Sequence, residues 1–526
     1  MASRFLNGIE RNSHFSDQLI KLIPKTDIHC HLDGSLRVET LVDLAKEQNI
    51  SLPTYDVDEL RKTVLKEFYT DLTDYLVPFQ YTSAVLRNAK ALERVAFEFA
   101  EDCYSEGVRY FEVRFAPHLC AVPGVLSTED VILAVNKGLK RATDTFNGID
   151  DDVHKGIAPE YKYGIIVCGM RFFDENFSPF FKNFCEIFKH ENKKKMFGIA
   201  SLQLVKLAVH IRDSMNVPIV ALDIAGCEAS FPAINHAEAF QYAHENHMNK
   251  TIHAGEAYGP ESIFQAITSC YAERIGHGLN MFDTSFFHPE TPVNDKQKYV
   301  DGIIRFIANR RICVEVCLTS NYQTAPKLRN NISAHPLKRM LEEKLSVCLN
   351  TDNRMVSRTT MCDEIRLAVD IFKFNKDELW ELISNGFESS FMPGSYANKL
   401  TVNNRVICDS IAQLLDHCFL YTPDLDAVHQ FLALNPHEKL HAIRPKCSMQ
   451  HGRDHFDRFM INLDSYSVPV KEEKPFRKYD KVLSCGNCGA LKQKMPVCRG
   501  CNEMHYCNSD CQTKHWLVHQ ITCVKS

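Results

Sequence analysis

The chain has no uninterrupted apolar run of membrane-spanning length, which argues against a transmembrane helix. It has no surplus of basic charge either. Lys and Arg total 61 against 66 Asp and Glu, a net charge of −5, which disfavours a dedicated nucleic-acid binder at whole-chain level. Internal repeats and low-complexity tracts are missing, and the first residues, MASRFLNGIERNSHF, lack the apolar centre of a signal peptide. With 45% apolar and 24% charged residues, the composition is that of an ordinary soluble protein. At 526 residues the chain suits one large domain with an appendage, or several small domains. What it has in excess is 21 Cys and 23 His. An odd Cys count over this length does not fit a secreted disulfide framework. The expectation is a reducing compartment, the cytosol, and metal.

The cysteines are unevenly placed. Fourteen lie singly in the first 484 residues, and seven crowd between Cys485 and Cys523. Just before that cluster, residues 465–475 (SYSVPVKEEKP) read as a linker. From Lys474 onward nine basic and three acidic residues give +6, so the preceding body carries −11. Two modules are the simplest organisation.

The body alternates short apolar, β-branched runs with longer amphipathic stretches. The runs begin at Lys25, Val108, Lys162, Ile219, Lys250, Glu273, Ile312 and Leu345, eight in all. Several are nearly continuous in apolar character, as strands buried on both faces are. Stretches such as AKALERVAFEFAEDCYSEG from Ala89 have helical spacing. The pattern predicts an α/β fold, a TIM-type (β/α)8 barrel over residues 15–400, with a long insertion after the first strand. A doubly wound sheet is the alternative, but no Gly-rich phosphate turn follows the first strand.

Polar residues collect where such barrels place their chemistry, at the C-terminal strand ends. His29 and His31 end the first strand, His253 and Glu256 follow the fifth, His277 the sixth, and Asp352 with Asn353 the eighth. Alternation puts His29 and His31 on the barrel side and Cys30 away from it. Two such imidazoles can grip one metal, and zinc suits imidazole with a carboxylate. Each feature alone has an ordinary reading: a hydrogen-bonded histidine, an N-cap aspartate, a solvated loop glutamate. Jointly those readings would place unrelated polar groups on one rim by accident.

His29-Cys-His-Leu-Asp-Gly-Ser-Leu, His253-Ala-Gly-Glu, Arg274-Ile-Gly-His-Gly and Leu349-Asn-Thr-Asp resemble the signature blocks of the adenosine deaminase family of amidohydrolases. Lesser blocks at Glu112, Leu222, Leu318 and Ser389 are similar too, and the resemblance runs from about Ile23 to Leu400. It implies a catalytic Zn2+ held by His29, His31, His253 and Asp352. It implies His277 as the group that takes the proton of the attacking water and orients it, with Asp352 assisting. Glu256 would be the protonated acid that donates to purine N1, so that C6 becomes electrophilic. Adenosine, and 2′-deoxyadenosine with it, would then yield inosine and ammonia. On the substrate side the resemblance implies contacts by His31, by Asp33 near the ribose 5′-hydroxyl, and by Gly226 through its backbone N–H at purine N3. Asn353 is a departure: the chain has TDN followed by Arg354 where the better-known members have TDD followed by proline. An Asn amide can still donate to purine N7.

Residues 401–464 have apolar residues at helical spacing and predict a helical extension. From Cys485 the spacing is C-x2-C, nine residues, C-x2-C, five residues, C-x3-C, seven residues, H-x3-C. Eight ligand-type residues in four close pairs suit two tetrahedral structural zinc sites. With Tyr506, Gln512 and Trp516 in their places, residues 476–526 resemble a MYND-type finger. The resemblance implies interleaved sites, Cys485, Cys488, Cys507 and Cys511 on one zinc and Cys498, Cys501, His519 and Cys523 on the other. It also implies a proline-containing peptide partner at Gln512 and Trp516, since aromatic grooves suit polyproline-like ligands. Nothing in the tail resembles a recognition helix or base-stacking platform, so nucleic acid is not expected. Two other functions compete: deamination of another 6-aminopurine (adenine, or an N6-modified nucleoside or nucleotide), and an inactive scaffold acting through the finger. The scaffold predicts loss of a catalytic group, and none is missing.

Overall fold

A computed structural model describes residues 11–12, 15–154, 160–287, 293–329 and 331–392, with two short strands further on at Leu483–Ser484 and Leu491–Lys492. Eight strands run in sequence order around one parallel sheet: β1 (Lys25–His31), β2 (Val108–Phe115), β3 (Lys162–Met170), β4 (Ile219–Ala225), β5 (Asn249–Ala254), β6 (Arg274–His277), β7 (Cys313–Val316) and β8 (Val347–Leu349). The ring nearly closes through the segment after β8. Asp352 N donates to His29 O at 2.8 Å, and His31 N donates to Asp352 O at 2.7 Å. Strands in strict sequence order make a TIM-type barrel, because a doubly wound sheet reverses order at a switch point. All eight lie where the apolar runs predict them.

The helices form where apolar spacing and caps coincide. Helix Ala89–Ser105 opens on Asn88, whose side chain accepts from Ala91 N, and buries Leu92, Val95, Ala96, Phe99, Ala100 and Cys103 along one stripe. Helix Thr128–Ile149 starts with a reciprocal Ser127–Asp130 capping box and packs against it. The insertion after β1 holds the helices Val38–Glu47, Val57–Thr63, Leu72–Tyr75 and Phe79–Val85 ahead of Ala89–Ser105. Among the described residues no helix is long and apolar enough to cross a membrane.

The eleven cysteines among the described residues are free thiols, eight of them buried. The Cys30 thiol is turned away from the barrel axis, toward helix Ala89–Ser105 and its Cys103, as strand alternation requires.

The predicted helical extension (401–464), the linker (465–475) and the eight finger ligands lie outside the described residues, as do Gln512 and Trp516. In the tail, Leu483–Ser484 pairs antiparallel with Leu491–Lys492, bracketing Cys485 and Cys488 in sequence.

Candidate active site

Inside the barrel the strands carry charges that cannot be solvated. Glu112 and Arg114 come from β2, Asp223 from β4, Arg274 from β6 and Glu315 from β7, all buried. Isolated burial of such ions is prohibitive, so they neutralise one another. Arg274 reaches Glu112 at 2.5 Å and Glu315 at 2.6 Å, while Arg114 reaches Asp223 at 2.8 Å and Glu315 at 2.9 Å. Burial opposes ionisation of Glu315, but the two guanidiniums hold its carboxyl well below the usual range.

Two acids of this floor grip histidines above it. His29 Nδ1 donates to Glu315 Oε2 at 2.7 Å, and His253 Nδ1 donates to Asp223 Oδ2 at 2.9 Å. Fixing the proton on Nδ1 leaves both Nε2 atoms bare and facing upward. His31 Nε2 lies 3.1 Å from His253 Nε2 and 3.4 Å from Asp352 Oδ1, and His29 Nε2 lies 3.5 Å from the same oxygen. The four ligand atoms fall within 4.8 Å of one another, and His29 Nε2 is buried with no hydrogen-bond partner among the described residues. Bare imidazole nitrogens converging with an ionised carboxylate could hold a cation between them, and this donor set fits zinc. Asp352 holds a left-handed backbone (φ 59°), as does His277 (φ 64°). Such strain collects at functional sites. Asp27 anchors the segment around Asp352, accepting from Thr351 Oγ1 at 2.6 Å and pairing with Arg354 at 3.1 Å, while Arg354 also pairs with Glu106. The arginine that departs from the family pattern therefore has a built acidic seat.

A cavity of about 470 Å³ opens over this cluster, and His31, Asp33, Gly226, Glu256, His277 and Asn353 are among its lining residues. His29 lies beneath it. Glu256 is held by its main chain: the Glu228 carboxylate accepts from the N–H groups of Gly255, Glu256 and Ala257 at 2.8, 3.0 and 2.8 Å and from Ser262 Oγ at 2.5 Å. Burial pushes the Glu256 carboxyl well above the ordinary range, and the charges of Asp352 and Glu228 add to it. His277 Nε2 stands 3.7 Å from Glu256 Oε1. Asn353 Nδ2 donates to Tyr75 Oη at 3.0 Å, and Tyr75 Oη shares a hydrogen bond of 2.6 Å with Ser357 Oγ. A methyl group at Gly34 would sit 1.9 Å from Asn353 Oδ1, so glycine is needed there for the asparagine to fit. Gly226 follows β4 with φ 101°, a conformation that glycine adopts freely.

The family model for adenosine deaminase matches residues 24–407, and that for the MYND finger, a zinc-finger module, matches residues 485–523. The chain belongs to the adenosine deaminase family. Within that family it is 33% identical to an adenosine deaminase of Vibrio vulnificus over 370 residues, 70% of this chain and 94% of the relative. It is 35% identical to a probable adenosine deaminase of Dictyostelium discoideum over 388 residues, 73% of this chain but only 42% of the relative's own length. Among solved structures the fold is similar to that of an adenine deaminase from Arthrobacter aurescens, with a TM-score of 0.55 and 22% identity, covering 75% of this chain and 99% of that one.

Every barrel residue singled out from the sequence lies at this one site. Sequence reasoning missed the floor acids Asp223 and Glu315, the loop clamp Glu228 and the cavity-lining Tyr75. Asp223 and Glu315 carried a signal, since a charge inside an apolar strand must find a buried partner. Tyr75 carried none, because its partner Asn353 lies 278 residues away.

Proposed function

We propose that the barrel hydrolyses adenosine, and 2′-deoxyadenosine with it, to inosine and ammonia. The observation that carries this reading is Glu256, whose carboxyl burial pushes well above the ordinary range, set beside His277 at the cavity that opens over the His29, His31, His253 and Asp352 cluster. Those four residues would hold a zinc ion, which supplies the lowered water pKa that makes a nucleophile at neutral pH. Glu256 donates its proton to N1, so that C6 accepts the attacking oxygen. His277 and Asp352 flank that oxygen, one holding it and one taking its proton. The proton taken from the water passes on to the C6 amino group, which leaves as ammonia, and the remaining O–H proton returns to Glu256 as the purine carbonyl forms. Gly226 offers its backbone N–H to N3, Asn353 its amide to N7, and Asp33 its carboxyl to the ribose 5′-hydroxyl. Burial raises the Asp33 carboxyl to about 7, and its Oδ1 has no hydrogen-bond partner among the described residues, both of which suit a group that meets a hydroxyl.

In the tail, Cys485, Cys488, Cys507 and Cys511 would hold one structural zinc and Cys498, Cys501, His519 and Cys523 a second. The groove at Gln512 and Trp516 would take a proline-containing peptide. Elemental analysis should find three zincs per chain, falling to two in Cys498→Ser. Free, buried thiols support a cytosolic setting.

A second reading, deamination of a nucleoside monophosphate, is favoured by Arg87. This half-buried guanidinium lines the same cavity, and its Nε has no partner among the described residues. Ultraviolet absorbance with adenosine, 2′-deoxyadenosine, adenine and adenosine monophosphate in parallel separates the readings. Adenosine should be turned over fastest. A preference for the monophosphate that Arg87→Gln abolishes would establish the second, and no turnover of any purine would refute both.

A further inference from the structure

Behind His277 runs a chain of hydrogen bonds whose direction can be read from one end. Leu337 opens helix Leu337–Glu342, so its N–H has no intrahelical acceptor. It donates to His335 Nδ1 at 3.1 Å. A backbone N–H can only donate, so His335 Nδ1 bears no proton and its ring proton sits on Nε2. That Nε2 is 3.1 Å from Asn321 Oδ1, and Asn321 Nδ2 is 3.1 Å from His277 Nδ1. With Asn321 oriented by His335, its amide N–H donates to His277 Nδ1. His277 Nδ1 is therefore an acceptor, and the proton of the ring is on Nε2, the atom that faces Glu256 and the cavity.

The chain is buried throughout: His277 is 1% exposed, Asn321 0% and His335 3%. Three elements contribute to it, the end of β6, the helix Leu318–Thr324 after β7, and the turn ahead of helix Leu337–Glu342. Burial drives the His335 ring down to about 3, which keeps it neutral. Pro336 restricts the backbone of His335 to the extended region where it lies (φ −60°, ψ 136°). A buried polar chain of this kind contributes little net stability over apolar residues of the same shape. Its definite product is the placement of one proton.

We propose that Asn321 and His335 are positioning residues that hold His277 in the Nε2–H tautomer, so that His277 enters the reaction as a hydrogen-bond donor. This rests on the deaminase reading above and divides the labour it leaves open. His277 Nε2–H holds the attacking oxygen. As the C6–O bond forms, the O–H bond of the water breaks and its proton passes to the Asp352 carboxylate, while N1 takes the proton of Glu256. His277 thus keeps its proton in this step, the reverse of the acceptor role the family resemblance implies.

Neutron diffraction from a perdeuterated crystal of the full chain, without substrate, locates the ring deuterium. Deuterium on His277 Nε2 with Nδ1 bare is expected; deuterium on Nδ1 overturns the proposal, whatever purine the enzyme uses. In kinetics, Asn321→Asp exchanges the amide donor for an acceptor at constant shape. It should lower kcat about 10²–10⁴-fold, the range from a lost donor to a misplaced tautomer, with KM and zinc content unchanged. Because Asn321→Asp puts a charge in the core, a second pair guards against loss of the fold. His335→Gln can still donate to Asn321 Oδ1 and should stay within about fivefold of wild type, whereas His335→Leu should fall with Asn321→Asp. Wild-type kcat in Asn321→Asp or His335→Leu overturns the relay.

Discussion

His29 donates through Nδ1 to Glu315 Oε2 at 2.7 Å, and that single bond leaves its Nε2 bare toward His31, His253 and Asp352. Glu315 is also the carboxylate shared by Arg114 and Arg274 and the acceptor for Thr251 Oγ1 at 2.8 Å. One side chain thus ties the tautomer of His29, a candidate metal ligand, to the neutrality of the barrel interior. Replacing it should disturb both. Glu315→Gln removes a negative charge from two buried guanidiniums, a loss of about 3–5 kcal/mol of stability, and should weaken zinc binding about 10–100-fold. Thermal melts and a chelator titration of the same preparation check the two effects. Full zinc affinity in a destabilised variant would separate the floor from the metal site.

Glu256 tests the acid chemistry by itself. Its backbone is clamped by Glu228 and Asn280, which donates to Glu256 O at 2.9 Å, so a glutamine at this position keeps the loop in place. Glu256→Gln should retain zinc and lose about 10²–10⁴-fold in kcat, the usual contribution of a positioned general acid. A rate equal to wild type would mean that the N1 proton comes from elsewhere.

The parts of this architecture that were legible in the sequence are those whose signal is local. Buried parallel strands must be apolar on both faces, so all eight announce themselves as short runs between amphipathic helices. The convergence of His29, His31, His253 and Asp352 is legible for the same reason: His29 and His31 sit two apart on one strand, and His253 and Asp352 stand at strand ends. What supports these residues is not local. Glu228 clamps Glu256 from the loop after a different strand, and Asn321 meets His277 across 44 residues. Tyr75 comes from an insertion of short helices whose apolar pattern says only that they are packed. Pairings of this kind depend on which loops the closed barrel brings side by side, and no spacing encodes that.

Tyr75 and Asn353 make a prediction about substrate affinity. The Tyr75 hydroxyl holds Asn353 Nδ2 and contacts Ser357 Oγ, so Tyr75→Phe frees the amide to rotate at a cost of about 1 kcal/mol in stability. If that amide reads the purine, KM for adenosine should rise several-fold, with kcat within about twofold of wild type. Steady-state kinetics on adenosine measures it. A fall confined to kcat would instead place Tyr75 in the chemical step.

Glu364 predicts how stability depends on pH. It lies on helix Met361–Ile371 and accepts from Thr319 N at 3.2 Å, from Thr359 Oγ1 at 2.6 Å and from Thr319 Oγ1. Burial outweighs these bonds and raises its carboxyl from 4.5 to about 7. Below pH 4.5 the group is protonated whether the chain is folded or not, and it costs nothing. Between pH 4.5 and 7 the unfolded chain releases the proton while the folded chain keeps it, so stability falls as pH rises. Above pH 7 the full cost persists, about 3 kcal/mol or slightly more. Glu364→Gln has no such proton to lose. Compared with wild type in urea unfolding, it should gain about that amount between pH 4.5 and pH 8, after the other carboxylates cancel in the difference. A difference that is flat across this window would show that Glu364 ionises in the folded protein as an ordinary carboxylate does.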